Sequence, residues 1–290
     1  MLEVKDLQKR FGNVVALDGV TLSVKPGELT GFVGANGAGK TTSMRIMMGV
    51  LAHDSGDVLF NGSPVSGDQR VRWGYMPEER GLYPKMKVAE QITYFGRLHG
   101  MSTTDAKSST DDLLEQLNLT ARAKDDVQDL SLGNQQRVQL AVSLVHNPEV
   151  LVLDEPFSGL DPIAVDVMAE ALQTRSRSGV PVLFSSHQLE LMERICDMIH
   201  IIHGGSNVAS GTVEELRERG EKPLRVTVDT TADLTNVLPG SVSRDGKDYL
   251  VTGVYDSQAV LAAAQSAGPV LHFGFDQPSL AELFREVASK

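Results

Sequence analysis

Residues 34–41 read Gly-Ala-Asn-Gly-Ala-Gly-Lys-Thr, and they are the most informative segment of the chain. It matches the pattern Gly-x-x-x-x-Gly-Lys-Ser/Thr, in which glycines let backbone N–H groups converge on an anion and the lysine reaches terminal phosphates. The apolar run Leu29–Val33 predicts a buried strand before the loop, and residues 42–48 predict a helix after it. The N-terminus of that helix adds partial positive charge behind the loop. This context predicts a nucleoside triphosphate site.

The predicted loop contacts the nucleotide through a continuous set of residues. Lys40 is expected to reach the β- and γ-phosphates, and the hydroxyl of Thr41 is placed to ligate Mg²⁺. The residues expected to bind the nucleotide here are Gly34, Ala35, Asn36, Gly37, Ala38, Gly39, Lys40, Thr41 and Thr42.

The composition of the 290-residue chain is that of a globular protein, with 41% hydrophobic and 22% charged residues. We expect no membrane span, because no apolar run approaches the roughly 18 residues that one needs, and no signal peptide. The formal net charge of −11 argues against non-specific nucleic-acid binding and against a polybasic membrane tether. Any membrane association should therefore come through a protein partner. The lone Cys196 excludes an internal disulfide and fits a reducing cytosol.

The pattern along the chain predicts two domains, residues 1–220 and residues 221–290. Alternating apolar and polar residues over 2–24 predict a small antiparallel β subdomain, and residues from about 88 to about 119 read as a helix-rich stretch. Strands and helices alternate over residues 150–194, which predicts a largely parallel sheet covered on both faces. The expected fold class is therefore α/β, with a phosphate-loop core, an antiparallel β subdomain, a helical subdomain and a small C-terminal α+β domain.

The C-terminal domain carries a pattern of its own. It predicts a strand over residues 224–228, then a short helix, a hairpin turning at Asp245-Gly246, a helix over 257–267, a strand over 271–275 and a terminal helix. No catalytic or metal-binding constellation stands out in it.

Two acids follow the apolar run Val150–Leu153, which predicts a buried strand. Asp154 and Glu155 would then lie at the carboxyl end of that strand, the edge at which open α/β sheets bind ligands. Asp154 is expected to hold Mg²⁺, directly or through a water. Glu155 is suited to polarise a water for in-line attack on the γ-phosphorus.

Three further segments resemble motifs of the ABC ATPases. Residues 130–137, Leu-Ser-Leu-Gly-Asn-Gln-Gln-Arg, resemble the Leu-Ser-Gly-Gly-Gln signature followed by Gln-Arg. Residues 158–161, Ser-Gly-Leu-Asp, resemble the D-loop, and residues 184–187, Phe-Ser-Ser-His, resemble the strand end that carries the switch histidine. Phe11 stands where the family has an aromatic residue that stacks on adenine. These motifs follow the family's order over residues 1 to about 220, and the chain is identified as a member of this P-loop NTPase family.

The resemblance implies an ATPase with ATP and Mg²⁺ as cofactors, in which His187 contacts the γ-phosphate. It also implies a head-to-tail dimer, with a second copy or a homologous ATPase subunit, that traps two ATP molecules. Ser131, Gly133 and Asn134 would then serve the partner's nucleotide, and Ser131 precedes a helix whose N-terminus favours an anion. Separate integral-membrane permease subunits would hold the chain at the cytoplasmic face of the cell membrane.

Two departures from the family pattern bear on the site. Glu78 replaces the glutamine that usually follows the strand ending Tyr75-Met76-Pro77, and its carboxylate can still ligate Mg²⁺. In the signature, Leu132 stands in place of glycine and Asn134 in place of glutamine. Asn134 can still donate and accept hydrogen bonds, whereas Leu132 can narrow the approach to the partner's nucleotide. Neither departure removes a catalytic group.

The role that the resemblance implies is the ATP-hydrolysing subunit of a membrane transporter. Residues 77–84, together with the small C-terminal domain, resemble exporters of the bacterial drug, peptide or ion efflux type. Two alternatives stay open, namely a soluble ABC ATPase acting on ribosomes or DNA, and a regulatory module that binds nucleotide without hydrolysing it. The first class usually has two ATPase domains or a long coiled-coil insertion, and the acidic balance disfavours nucleic acid. Glu155 and His187 argue against the second.

Overall fold

The computed structural model describes residues 1–219, 222–276 and Leu280. The chain divides into two compact units, Met1–Val213 and Glu214–Lys290. This division falls N-terminal to the domain boundary expected from the sequence between Gly220 and Glu221, which both lie outside the described residues.

The first unit contains two sheets and a set of helices. In chain order its strands are β1 (Leu2–Phe11), β2 (Val14–Val24), β3 (Leu29–Val33), β4 (Ser55–Phe60), β5 (Ser63–Pro64), β6 (Trp73–Met76), β7 (Val150–Leu153), β8 (Val182–Ser186), β9 (Met198–His203) and β10 (Ser206–Gly211). Its helices are α1 (Lys40–Met47), α2 (Gly67–Arg70), α3 (Val88–Leu98), α4 (Thr103–Gln116), α5 (Leu132–Leu144), α6 (Pro162–Arg177) and α7 (Leu189–Ile195), and α8 (Val213–Arg219) begins at its last residue.

The central sheet has the strand order β10-β9-β3-β8-β7-β6 and is parallel except at the β10 edge. Every residue of β3, β7 and β8 is buried, as expected for strands that are covered on both faces. Helices α6 and α7 pack on β3, and α5 packs on β6. The predicted parallel sheet is confirmed. Its topology brings the carboxyl ends of β3, β7 and β8 to one edge, where the motif-bearing loops begin.

The predicted antiparallel subdomain is also confirmed. Its sheet has the order β2-β1-β4-β5, and β1 and β2 form a long hairpin that turns at Gly12, with a φ angle of 56°. The inward side chains of this sheet share a core with α1 and the central sheet; Leu7, Phe32 and Met44 are fully buried there. The hairpin is thereby held beside the phosphate loop.

The predicted helix-rich stretch over residues 88–119 is confirmed. Residues 88–119 form two helices, α3 and α4, which pack on each other and on α5. The break lies at Gly100, whose φ angle of 88° ends one helix, and at Ser102, whose side chain accepts a hydrogen bond from the Asp105 N–H and begins the next. None of the helices in the described residues combines the length and the apolar character that a membrane span requires.

The second unit has an antiparallel sheet and one helix among its described residues after α8. Strands β11 (Leu224–Val228), β12 (Ser241–Asp245), β13 (Asp248–Thr252) and β14 (Val270–Phe275) take the order β12-β13-β11-β14, and α9 (Ser257–Ala267) packs on β11 and β14. These elements confirm the predicted α+β character, the hairpin and the longer helix.

One predicted element of this unit is wrong. The short helix expected after β11 is absent, because residues 229–240 form turns. The Tyr249 hydroxyl accepts a hydrogen bond from the Leu234 N–H and donates one to the Ala232 carbonyl. Asp233 also accepts from the Thr235 N–H, so local polar groups take the place of helical hydrogen bonds. The predicted terminal helix lies outside the described residues.

Candidate nucleotide-binding and hydrolysis site

The phosphate loop connects β3 to α1 as the sequence predicts. Gly37 and Gly39 adopt φ angles of 81° and 110°, a region that other residues rarely enter, and Gly39 caps the N-terminus of α1. Because the first N–H groups of a helix have no internal partners, this loop directs donors and the positive end of α1 toward one cavity.

Gly34 is required for a different reason, which is close packing. A Cβ atom on Gly34 would lie 2.4 Å from the Ile202 carbonyl oxygen on β9, and backbone cannot yield as a flexible side chain can. The residue at the start of the loop must therefore lack a side chain.

We expect Gly34→Ala to lower the free energy of unfolding of the first unit by about 1–3 kcal/mol, as overpacking of a buried site does. Urea unfolding followed by fluorescence tests this, because Trp73 is the single tryptophan and is buried in this unit. Gly67→Ala is the matched control, since a Cβ there meets no atom within 4 Å. Equal stability of the two variants would contradict the packing argument.

Lys40 is buried at the start of α1, with 6% of its surface exposed. Its Nζ donates hydrogen bonds to the carbonyl oxygens of Gly34 at 2.6 Å and Ala35 at 3.3 Å. The Glu155 Oε1 atom lies 3.6 Å from the same Nζ. The loop lysine and the second acid of the Asp-Glu pair, 115 positions apart (155 − 40) in the chain, are thus direct neighbours.

The two acids sit at the carboxyl end of β7, and both are buried. Asp154 is fully buried, and its Oδ1 accepts a 2.6 Å hydrogen bond from the Ser185 hydroxyl on β8. The Oδ2 of Asp154 and the Oε1 of Glu155 are both buried without a hydrogen-bond partner. Burial, with a contribution from the Asp154 carboxylate, raises the pKa of the neighbouring Tyr75 hydroxyl.

His187 follows the end of β8, and about half of its side chain is exposed. Its Nδ1 lies 3.0 Å from Glu155 Oε2, so the imidazole and the carboxylate form a hydrogen bond. Lys40 therefore pairs with one carboxylate oxygen of Glu155, and His187 is hydrogen-bonded to the other. A histidine held in this way can contact a substrate group through its remaining ring nitrogen.

Lys40 and Glu155 border a cavity of about 360 Å³, whereas Asp154 and His187 are not among its lining residues. Its lining includes most of the phosphate-loop residues together with Glu78 and Glu155, so the structure brings the Glu78 position to the same site. The lining residues are Ala16, Asn36, Gly37, Gly39, Lys40, Thr41, Thr42, Glu78 and Glu155. Ala16, on the β1–β2 hairpin, is a lining residue that no sequence motif indicated.

Phe11 lies on the surface and is not among the cavity-lining residues. It is at the end of β1, 49% exposed, and the Nζ of Lys9 is 5.4 Å from the centre of its ring. Its aromatic ring is therefore accessible for stacking. Its contact with adenine stays a prediction.

The signature segment lies outside the cavity. Ser131 caps α5, and its hydroxyl accepts a hydrogen bond from the Asn134 N–H at 3.4 Å. The Asn134 side-chain oxygen accepts from Arg137 at 2.6 Å, which orients this substituted position. Leu132 is 59% exposed, and a Cβ on Gly133 would lie 3.5 Å from Leu160 of the D-loop. The signature and the D-loop are therefore direct neighbours.

Two buried side chains that support the acids were missed by sequence reasoning. Ser185 has the contact described above, and Gln136 on α5 donates hydrogen bonds to the Pro156 carbonyl at 3.0 Å and the Glu155 carbonyl at 3.4 Å. The available signal in the sequence was a serine directly after the apolar run Val182-Leu183-Phe184, since a hydroxyl in a buried strand needs a hydrogen-bond partner.

The donor set fits a magnesium ion that is shared with a nucleotide. Asp154 Oδ2 is a buried carboxylate oxygen without a partner, and Thr41 and Glu78 add hard oxygen atoms at the cavity. No group of three or more His, Cys, Asp or Glu residues suited to a metal occurs within the described residues. Mg²⁺ commonly takes only one or two carboxylates and completes its shell with waters and substrate phosphates.

Comparisons with known proteins agree with this geometry. Residues 17–158 match the ABC transporter family. The uncharacterized ABC transporter ATP-binding protein YhaQ of Bacillus subtilis (strain 168) is 39% identical, over 99% of this chain and 98% of its own length. The Nod factor export ATP-binding protein I of Cupriavidus metallidurans (strain CH34) is 35% identical, over 93% of this chain and 91% of its own length.

The fold is shared with solved structures as well. The structure of an ATP-binding subunit of an ABC transporter is 31% identical, with a TM-score of 0.69, and covers 76% of this chain and 92% of its own length. The match to an ABC transporter ATP-binding protein covers nearly the full length of the chain. It supports neither of the two alternatives, the soluble ATPase acting on ribosomes or DNA and the regulatory module that does not hydrolyse ATP. The chain belongs to the ABC transporter family: it is an ATP-binding subunit and an ATPase, of the kind that dimerises and pairs with permeases.

Proposed function

We propose that Lys40, Asp154, Glu155 and His187 carry out ATP hydrolysis for an export system. The observation that carries the assignment is their convergence. Glu155 contacts both Lys40 and His187, and the phosphate loop and Glu155 line the same cavity. The four residues come from three loops that leave adjacent parallel strands.

Each side chain has a role that its contacts support. Lys40 supplies a cation to the β- and γ-phosphates from a buried position where its charge is poorly screened. Glu155 accepts a proton from the attacking water, since a buried carboxylate next to the γ-phosphate position is suited to a general base. His187 holds the Glu155 carboxylate through Nδ1 and contacts the γ-phosphate.

Mg²⁺ would be held by Asp154, with Thr41 and Glu78 as further oxygen ligands. When bound, the ion neutralises phosphate charge. The chain's own contribution is to fix the orientation of the Asp154 carboxylate, with one oxygen bonded to Ser185 and the other without a hydrogen-bond partner. Glu78 brings a second negative charge to the cavity where glutamine is usual.

The nucleotide-sandwich dimer is proposed because the signature lies outside the cavity of its own chain. Ser131, Gly133 and Asn134 stand at the N-terminus of α5, where backbone N–H groups and the helix dipole favour an anion. Leu132 and Ile163 are exposed apolar residues beside the signature and the D-loop, as expected of a surface that a second ATPase subunit covers. A head-to-tail partner would bring its γ-phosphate to this segment.

We expect Ser131→Arg to abolish most ATP hydrolysis while the separated monomer still binds ATP. The added side chain obstructs the partner's nucleotide and leaves the chain's own phosphate loop intact. Turnover and equilibrium binding, measured on the same preparation, check this.

The matched control for this variant is Ser102→Arg. Ser102 caps α4 with the same kind of bond, to the Asp105 N–H at 3.1 Å, so both changes remove one helix cap. Loss of ATP binding by the Ser131→Arg monomer would mean that the signature acts within its own chain.

The export role rests on the similarity to the Nod factor export protein over 93% of this chain. Cargo selection is proposed to belong to separate permease subunits, which hold the chain at the cytoplasmic face of the membrane, with no nucleic-acid partner. Purification of the tagged chain from solubilised membranes identifies the permease. Isolation with an import permease and its solute-binding protein would contradict an exporter.

A further inference from the structure

Ser185 is a fully buried hydroxyl at the carboxyl end of β8, and both of its hydrogen bonds go to the Asp-Glu pair. Its Oγ donates to Asp154 Oδ1 at 2.6 Å and accepts from the Glu155 backbone N–H at 2.8 Å. A serine hydroxyl has one proton to donate, so Ser185 donates it to the Asp154 carboxylate and uses a lone pair to accept from the Glu155 N–H. We infer that Ser185 is a positioning residue for ATP hydrolysis, which aligns the proposed metal-binding and general-base carboxylates together.

The bond to Glu155 stabilises an unusual backbone conformation. Glu155 has a φ angle of 50°, in the left-handed region that residues with a side chain rarely occupy. Such conformations persist only where surrounding contacts hold them, and they cluster at active sites. The Ser185 Oγ accepts a hydrogen bond from the Glu155 backbone N–H, and the Gln136 side chain donates one to the Glu155 carbonyl oxygen. This conformation places the Glu155 carboxylate between Lys40 and His187.

The bond to Asp154 determines which carboxylate oxygen is available. With Oδ1 engaged by Ser185, the remaining oxygen, Oδ2, is buried and has no hydrogen-bond partner. A hard cation next to the cavity would therefore meet Oδ2. Ser185 thus orients the carboxylate toward the ion in addition to holding Glu155, and this step rests on the function proposed above.

A purely structural role for Ser185 predicts a different behaviour. Ser143, which is also nearly fully buried, donates to the Leu140 carbonyl within its own helix and touches neither acid. We therefore expect removal of the Ser143 hydroxyl to change stability alone. Removing the hydroxyl of Ser185 frees Asp154 to rotate and leaves the Glu155 N–H without its acceptor.

The test compares Ser185→Ala with Ser143→Ala in the full-length chain. We expect Ser185→Ala to lower kcat for ATP about 10- to 100-fold, the range found when a partner of an active-site ligand is removed. The KM for ATP should change little, because the phosphate loop is untouched, and the Mg²⁺ concentration that gives half-maximal turnover should rise. Ser185→Thr retains the hydroxyl and should recover most of the rate. Ser185→Cys, which is close in volume and a weak donor, should resemble alanine.

A double-mutant cycle with Glu155→Gln completes the test. If Ser185 acts through the acids, Ser185→Ala should add much less to Glu155→Gln than it does to the wild type. Fully additive effects, or equal kcat values for Ser185→Ala and Ser143→Ala, would overturn the positioning role alone. Full turnover by Glu155→Gln itself would overturn the proposed catalytic assignment and the inference together.

Discussion

Glu155→Gln is expected to lower ATP turnover by about 10²- to 10⁴-fold while ATP binding persists, because that range is typical of a lost general base. Glutamine has nearly the same shape as glutamate, and the Glu155 side chain is almost fully buried. The substitution therefore leaves the packing in place and removes the basic oxygen beside Lys40 and His187. Single-turnover hydrolysis and nucleotide titration, measured on one preparation, separate the two effects.

The same variant tests the sandwich dimer. ATP that cannot be hydrolysed should hold two ATPase subunits together, so a sizing column run with Mg-ATP should show a dimer. Glu170→Gln on the exposed surface of α6 removes an equal charge away from the site and should remain fully active. A strictly monomeric Glu155→Gln variant would count against the dimer, and wild-type turnover would count against the base assignment.

Lys40→Ala is expected to weaken ATP binding and to abolish most hydrolysis. A hydrogen bond to a charged group contributes about 1.5–3 kcal/mol, which corresponds to a loss of roughly 10- to 100-fold in affinity. The loss in turnover should exceed this, because Lys40 also faces the charge that develops on the phosphates. Alanine further leaves the buried Glu155 Oε1 without its cation.

Titration of a fluorescent ATP analogue measures the affinity of Lys40→Ala, and a coupled phosphate assay measures its turnover. Lys25→Ala is the matched control. Lys25 is half exposed and pairs with Glu28 at 3.3 Å, and exposed pairs of this kind contribute little. Unchanged turnover in Lys40→Ala would show that residues 34–41 do not bind the triphosphate.

The sequence predicted the elements around the phosphate loop closely. The observed bounds of β3 and β7 coincide with the apolar runs Leu29–Val33 and Val150–Leu153. These strands are buried on both faces, so their apolar character is unbroken and their limits are visible in composition alone. The longer helix of the second unit, Ser257–Ala267, was also predicted with its bounds.

Other elements depend on contacts that no local pattern contains. Residues 88–119 are rich in helix as predicted, and the bounds of the two helices there follow from Gly100, which ends one, and Ser102, which begins the other. The short helix expected after β11 is replaced by turns that bond to Tyr249. For residues 229–240 the competing partner is a distant side chain, and its hydrogen bonds outweigh helix propensity.

The candidate site divides in the same way. Sequence motifs named Lys40, Asp154, Glu155 and His187, but their mutual distances follow from strand order in the sheet. The sequence assigned no role to Ser185, because a serine two positions before a histidine has no chemical meaning until β8 is known to lie between β3 and β7. The surroundings of the two departures were also visible only in the structure. Glu78 lines the cavity, and the Asn134 side chain accepts a hydrogen bond from Arg137.

The phosphate loop, the paired acids and the parallel α/β core could be predicted from local sequence, because each depends on residues that are close in the chain. Only the tertiary structure decided that Glu155 stands between Lys40 and His187, and that Ser185 holds both acids. The physical reason is that adjacent parallel strands are joined through long crossovers. Their loop residues therefore meet in space while remaining far apart in sequence.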